Sequence, residues 1–238
     1  MQNGNGFILG VSGSGKSFSA KEEITSIALA TNDDILIVDP EREYSPLVKA
    51  LGGEVVRISA DSPHHINTLD IQKDVPDGEN PATLKSEFVM SLCEQLIGSG
   101  KLGAKEKSII DRCTANIYRG YMSGKCNNPP LLPHFRRELL NQPESEAKDI
   151  ALAIELFTDG SLNVFARPTN VDMSNRILVF DILDLGKQLK TVGMLVMLDA
   201  ILNRVIENRK KGKRTWIYID EIYLFFANEY SSNFLSES

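Results

Sequence analysis

The chain has 238 residues, 42% of them hydrophobic and 24% charged, with a net charge of -6 at neutral pH. That length supports one large α/β domain, or one with an insertion, around a sizeable core. The acidic balance excludes a protein that coats nucleic acid with its whole surface and leaves room only for a local basic patch.

The first apolar run, Gly6–Leu9, reads as a short strand. It leads into Gly10-Val11-Ser12-Gly13-Ser14-Gly15-Lys16-Ser17, which fills every fixed position of the phosphate-binding loop G-x-x-x-x-G-K-[ST]. A helix is expected over Lys16–Ala30, so the loop has the strand–loop–helix setting the motif requires. Its glycines let the backbone wrap a phosphate. The phosphate would be held by Gly10, Ser12, Gly13, Ser14, Gly15, Lys16, Ser17 and Phe18, with amides aimed at the anion and the helix dipole behind them. Lys16 is expected to reach the terminal phosphates, and the Ser17 hydroxyl to ligate Mg2+.

A second buried strand is expected at Ile35–Val38. It ends in Asp39-Pro40-Glu41-Arg42-Glu43-Tyr44. Ligands of open α/β sheets gather where strands end, so Asp39, Glu41 and Glu43 are accessory candidates near the phosphates; the other reading is a turn held by Asp39 and Pro40. Pro46–Gly52 reads as a short helical link to a third strand, Glu54–Ile58. His64-His65 follows without Cys or carboxylate at ligand spacing, which argues against a metal site. Ile66-Asn67-Thr68-Leu69-Asp70 reads as a structural loop that could lie near the same edge.

A polar stretch from Asp70 to Pro81 then breaks the pattern. Helices are expected over 82–98, 104–122, 132–141 and 144–158, so residues 82–160 read as a helical insertion. It divides a P-loop core into a first part, 1–81, and a second part, 161–238. A fourth strand is expected at Arg176–Phe180. The spacing of Leu189, Val192, Leu195, Leu198, Leu202 and Val205 predicts a crossover helix over Lys187–Lys210. The basic run Arg209–Arg214 precedes the fifth strand, Thr215–Ile219, and reads either as a charged loop at the bottom of the sheet or as a contact for nucleic acid, lipid phosphates or a partner. The continuous apolar strands point to a parallel sheet covered on both faces.

The fifth strand ends in Asp220-Glu221. A carboxylate there suits the magnesium shell, the role expected for Asp220, and Glu221 sits where a general base could deprotonate an attacking water. The catalytic candidates are therefore Glu221 and Lys16, and the metal candidates Ser17 and Asp220. A guanine-reading Asn-Lys-x-Asp motif is absent, which favours ATP. Phe225 and Phe226 read as core or interface. No apolar run is long enough to span a bilayer, no signal peptide is evident, and Cys93, Cys113 and Cys126 have no zinc-like spacing. Both ends look cut, as in a piece of a longer protein.

Gly10–Glu23, Asp39–Tyr44, Ile66–Asp70 and Thr215–Glu221 together resemble the conjugative-transfer ATPases of type IV secretion systems, in the HerA/FtsK superfamily of ring-forming motors. The acid-proline turn ending in Glu-Tyr also resembles the HerA-type DNA pumps. The resemblance implies a RecA-like P-loop fold, truncated at its C-terminal side, with ATP and Mg2+ as cofactors. It implies secretion-channel proteins at the inner membrane as partners, a hexameric ring for the full-length protein, and a cytoplasmic site peripheral to the inner face of the membrane. DNA is a further partner it allows. Where the family continues into a sensor Gln and an arginine finger, this sequence has no counterpart, so slow or absent hydrolysis is the expectation. A nucleotide-gated assembly scaffold without turnover is the reading from another class.

Overall fold

The computed structural model describes residues 6, 8–11, 14–72, 80–98 and 100–221. Its elements in chain order are α1 (Lys16–Ala30), β1 (Asp34–Asp39), α2 (Ser45–Ala50), β2 (Glu54–Arg57), α3 (Pro81–Ile97), α4 (Ala104–Met122), α5 (Leu132–Leu140), α6 (Ser145–Ala153), α7 (Glu155–Thr158), β3 (Ile177–Asp181), α8 (Lys187–Lys210) and β4 (Thr215–Ile219). The four strands form one sheet in the order β2-β3-β1-β4, and every pairing is parallel. The α/β class, the parallel sheet and the helices on both faces are as expected.

All six residues of β1 are buried, because its two faces feed two cores. Ile35 and Ile37 join Ile177 and Val179 of β3 in packing against Ala20, Ile24 and Ile27 of α1 and Val48 of α2. The alternate residues, Leu36, Val38, Leu178 and Phe180, enter a larger core with α8 and the helices that precede it. Period-two alternation thus divides the strands between layers, and a run covered on both sides reads as continuously apolar.

The middle of α8, residues 192–199, is buried all round, since it lies between the sheet and the outer helices. Asp199 closes that stretch, Asn203 and Arg204 follow it, and each has a partner. Asp199 accepts a hydrogen bond from Lys85 of α3 at 2.6 Å, Asn203 reaches Asp199 and the carbonyl of Asp70, and Arg204 binds Asp34 at 2.8 Å. Burial holds the Asp199 carboxyl above the ordinary range although the Lys85 ammonium opposes it. Residues of α3–α7 share the core beneath the sheet rather than closing one of their own.

The structure departs from the sequence reading at several points, among them the helix expected over 144–158, which is broken at Ile154 into α6 and α7. The strand expected at Gly6–Leu9 is not formed among its described residues: Ile8 and Leu9 lie outside any strand and are 50% and 87% exposed. A four-residue run beginning with one glycine and followed by another loses much chain freedom for few ladder bonds. The link after β1 begins at Ser45 rather than Pro46, because proline fits the first turn of a helix, where its missing N–H is no loss.

The Ile66–Asp70 segment is a structural latch. Asn67 donates to Asp70 at 2.7 Å and to the carbonyl of Pro130 at 3.0 Å, Thr68 donates to the carbonyl of Phe165, and Tyr118 of α4 donates to the carbonyl of Leu69. The basic run before β4 is also tied down in part. Lys213 binds Asp34, Lys211 binds Glu207, and the Arg214 guanidinium lies 5.8 Å from the Trp216 ring centre. It stands where β4 begins, opposite the edge at which the strands end.

Candidate functional site

The strands are parallel, so all four end at one edge. The register places Asp39 beside Asp181, and Val38 beside both Phe180 and Ile219. The Asp220 amide donates to the Val38 carbonyl at 3.2 Å, so Asp220 comes next in the row. Three neighbouring strands therefore each end in a carboxylate, and what each carboxylate touches separates them.

Asp181 is fully buried and answered by two guanidiniums, Arg42 at 2.5 Å and Arg57 at 3.3 Å, while the amide of Leu183 donates to its other oxygen. Arg42 also binds Asp184. Asp39 accepts from three amides of its own turn, Glu41 at 3.3 Å, Glu43 at 3.0 Å and Tyr44 at 2.8 Å. Burial pushes its carboxyl up, and those amides act against the shift. Asp39 thus shapes the turn, which is buried at Asp39 and Pro40 rather than solvated. Asp220 accepts, among the described residues, one hydrogen bond, from the amide of Glu221 at 3.0 Å. Burial raises its carboxyl, and the charges of Glu43, Glu221 and Asp39 add to the rise. A carboxylate held among like charges, with most of its lone pairs uncommitted, is suited to a cation.

The phosphate-loop residues lie across from this row. Gly15 precedes α1 with φ 89°, in the left-handed region where glycine costs least. A Cβ on Gly10 would stand 2.3 Å from the Ser14 hydroxyl, which would have to turn aside to admit it. The Ser14 amide donates to the carbonyl of Val11, and Lys16 Nζ donates to the carbonyl of Gly10 at 2.7 Å. Lys16 is therefore folded over the loop. Ser17 lies in the first turn of α1, and Phe18 beside it is 66% exposed. Ser12 and Gly13 lie outside the described residues, as do Phe225 and Phe226.

Tyr44 joins the two halves. Its phenol is raised first by burial and then by the Asp220 carboxylate. Tyr44 shares a core with Ala20 and Ile24 of α1, and Lys21 of α1 lies 5.4 Å from its ring centre, so the β1 turn meets the helix that carries Ser17. Glu43 faces Lys21 of α1 at 3.8 Å, and Lys190 of α8 donates to Glu41 at 2.9 Å, which turns Glu41 toward α8. The two non-glycine residues with positive φ among those described, Arg42 at 60° and Glu221 at 54°, stand at this edge. Such backbone costs energy and gathers at functional sites.

Sequence reasoning missed Arg42, Asp181 and the phenol of Tyr44. The signal for Asp181 was available, because an apolar run ending in an acid is the pattern that marked Asp39 and Asp220. Nothing in the order of residues announces that Tyr44 packs against α1.

A family model described as "Helicase HerA, central domain" matches residues 7–194, well over half of the chain. The curated proteins contain no match. Among solved structures, that of VirB4 of Thermoanaerobacter pseudethanolicus aligns with a TM-score of 0.76 at 20% identity, over 93% of this chain and 90% of that one. At that identity the likeness shows the fold. With the family model spanning α1 through the first turns of α8, the chain belongs to the family of the HerA helicase central domain.

Proposed function

We propose that this chain binds ATP with Mg2+ at the edge where its strands end, and that it is a P-loop motor core energising type IV secretion or conjugative transfer. The observation that carries the reading is that the β1 turn stands beside both α1, the helix that begins at the phosphate loop, and the end of β4: Lys21 of α1 lies 3.8 Å from Glu43 and 5.4 Å from the Tyr44 ring centre, and the Asp220 amide donates to the carbonyl of Val38. The donors present fit the cofactor. Mg2+ takes hard oxygen ligands, commonly one or two protein groups beside phosphate oxygens and water, and Ser17 and Asp220 supply a hydroxyl and a carboxylate. The tight loop at Gly10 and the start of α1 suit a phosphate.

The residues then divide the work. Lys16 holds the terminal phosphates as a point charge, and Ser17 and Asp220 hold the metal. When bound, Mg2+ neutralises charge that develops on the phosphate oxygens. Glu221 follows Asp220 directly, and its carboxylate takes the proton of the attacking water. Asp39 keeps the turn in shape, and Glu43 adds negative charge beside Asp220.

The fold it shares with VirB4 supports the secretion reading, as does the acid-proline turn. On that reading the partners are channel proteins at the inner membrane, the working form is a ring, and the site of action is the cytoplasmic face. The match to the HerA helicase central domain favours a second reading, a DNA translocase. Hydrolysis stimulated by DNA supports the translocase. Hydrolysis indifferent to DNA, in a protein that copurifies with channel proteins, supports secretion.

The chemistry is tested by Glu221→Gln. In the assembled ring, where turnover is expected, phosphate release should fall by at least about 100-fold, the scale of a general base, with ATP binding retained. Turnover equal to the wild type removes Glu221 from this role.

A further inference from the structure

We infer that Arg42 is a positioning residue of the nucleotide site: its side chain pins the β1 turn to the end of β3 and so holds Glu43 at the edge proposed to take Mg2+. The inference rests on the nucleotide-binding reading above and adds a residue to it.

The turn is a junction. Glu41 accepts from Lys190 of α8 at 2.9 Å. Arg42 binds Asp181, the last residue of β3, at 2.5 Å, and Asp184 in the segment after it. Glu43 stands 3.8 Å from Lys21 of α1. Three consecutive residues thus bridge to three different parts of the fold, and the bridges are unequal. The outer two join side chains that water reaches, and such pairs contribute little. Asp181 is fully buried, so water cannot replace the guanidinium there, and the fork of Arg42 meets a second carboxylate as well. Arg42 is therefore the bridge that fixes the turn. The Glu43 amide, one residue on, donates to Asp39 at 3.0 Å, and Asp39 stands beside Asp220 in the row of strand ends.

Two simpler accounts of Arg42 fall short. Charge balance at Asp181 does not require it, because Arg57 at 3.3 Å and the amide of Leu183 at 3.2 Å already meet that carboxylate. The backbone does not favour it either, since Arg42 has φ 60°, where glycine would sit without strain. A strained residue whose side chain adds a bridge beyond charge balance orders the turn before a ligand arrives, so that binding need not order it.

The test is titration calorimetry of ATP, once with Mg2+ and once with EDTA, on the wild type, Arg42→Gly, Glu43→Gln and the double variant. Glycine relieves the backbone, so a loss belongs to the side chain. The affinity gained from Mg2+ should fall by about 3- to 10-fold in Arg42→Gly, the worth of one hydrogen bond, with affinity in EDTA unchanged. Glu43→Gln should lower the gain by a similar factor, and the double variant should lose no more than Glu43→Gln alone. An unchanged gain in Arg42→Gly overturns the inference. So does an equal loss with and without Mg2+, which marks a general defect of the fold, and so does a full additional loss in the double variant, which marks a role independent of Glu43. If Arg42→Gly does not fold, Arg42→Lys carries the same test. It keeps a charge beside Asp181, but a single ammonium cannot bridge two carboxylates as the fork does, so the gain should fall by a smaller factor, and an unchanged gain overturns the inference. A wild type that binds ATP equally with and without Mg2+ overturns the inference and leaves the nucleotide site standing, whereas a wild type that binds no ATP overturns both.

Discussion

A buried carboxylate is decided by its partners, and Asp34 shows this at the edge away from the site. Its carboxylate is fully buried and is met by Arg204, Asn208 and Lys213. Burial raises its pKa, but the hydrogen bonds from Lys213, Asn208 and Arg204 outweigh it, and the carboxyl titrates below its ordinary 3.8. A carboxylate with a depressed folded-state pKa stabilises the fold above its unfolded value and loses that contribution as pH falls through the folded one. Asp34→Asn should therefore cost about 1–3 kcal/mol at neutral pH by leaving buried donors without a charged acceptor. Urea unfolding followed from pH 7 downward should show the two proteins converging below about pH 3.8. A gap that stays constant with pH would remove the charge from the explanation. The same logic separates the carboxylates at the other edge. The sequence marked Asp39 and Asp220 alike, as acids closing apolar strands. That Asp39 is consumed by three amides of its own turn depends on how the turn closes, so composition and spacing could not reveal it.

Among the elements, helices were the more legible. The limits expected for α1 and α8 are those observed, α3–α5 fall within a residue of their expected spans, and the single helix expected over 144–158 is split into α6 and α7. A long 3.6-residue period carries its own boundaries, whereas a strand needs a neighbour to exist. The run Gly6–Leu9 has the composition of a strand and no pairing among its described residues. What the period did not convey is how α3 and α8 are joined. Lys85 and Asp199 form an ion pair whose side chains are only 4% and 11% exposed, in an otherwise apolar interface. The Lys85 ammonium also lies 4.4 Å from the Phe88 ring centre. Removing one partner strands the other charge in the core. Lys85→Met alone should cost about 3–5 kcal/mol in chemical denaturation, and the double change Lys85→Met with Asp199→Leu should restore most of that loss. A single change that is harmless, or a double change as damaging as the single one, would contradict this reading of the pair.

At the scale of the molecule, one sheet sets out the chemistry and two helical layers hold it. The layer of α3–α7 looks separable in the sequence, as an insertion between strands, yet its apolar residues complete the core under Leu36, Val38 and Phe180. Among the described residues no helix is long and apolar enough to cross a membrane. The parallel strands bring the phosphate loop, the β1 turn and the end of β4 to one edge, and the central claim is that this edge binds Mg-ATP. Calorimetric titration of Mg-ATP into the wild type and into Lys16→Ala tests it most directly. The account predicts saturable binding by the wild type and its loss in Lys16→Ala, with the melting temperature unchanged in the absence of nucleotide. Lys16→Ala binding with wild-type affinity would contradict it.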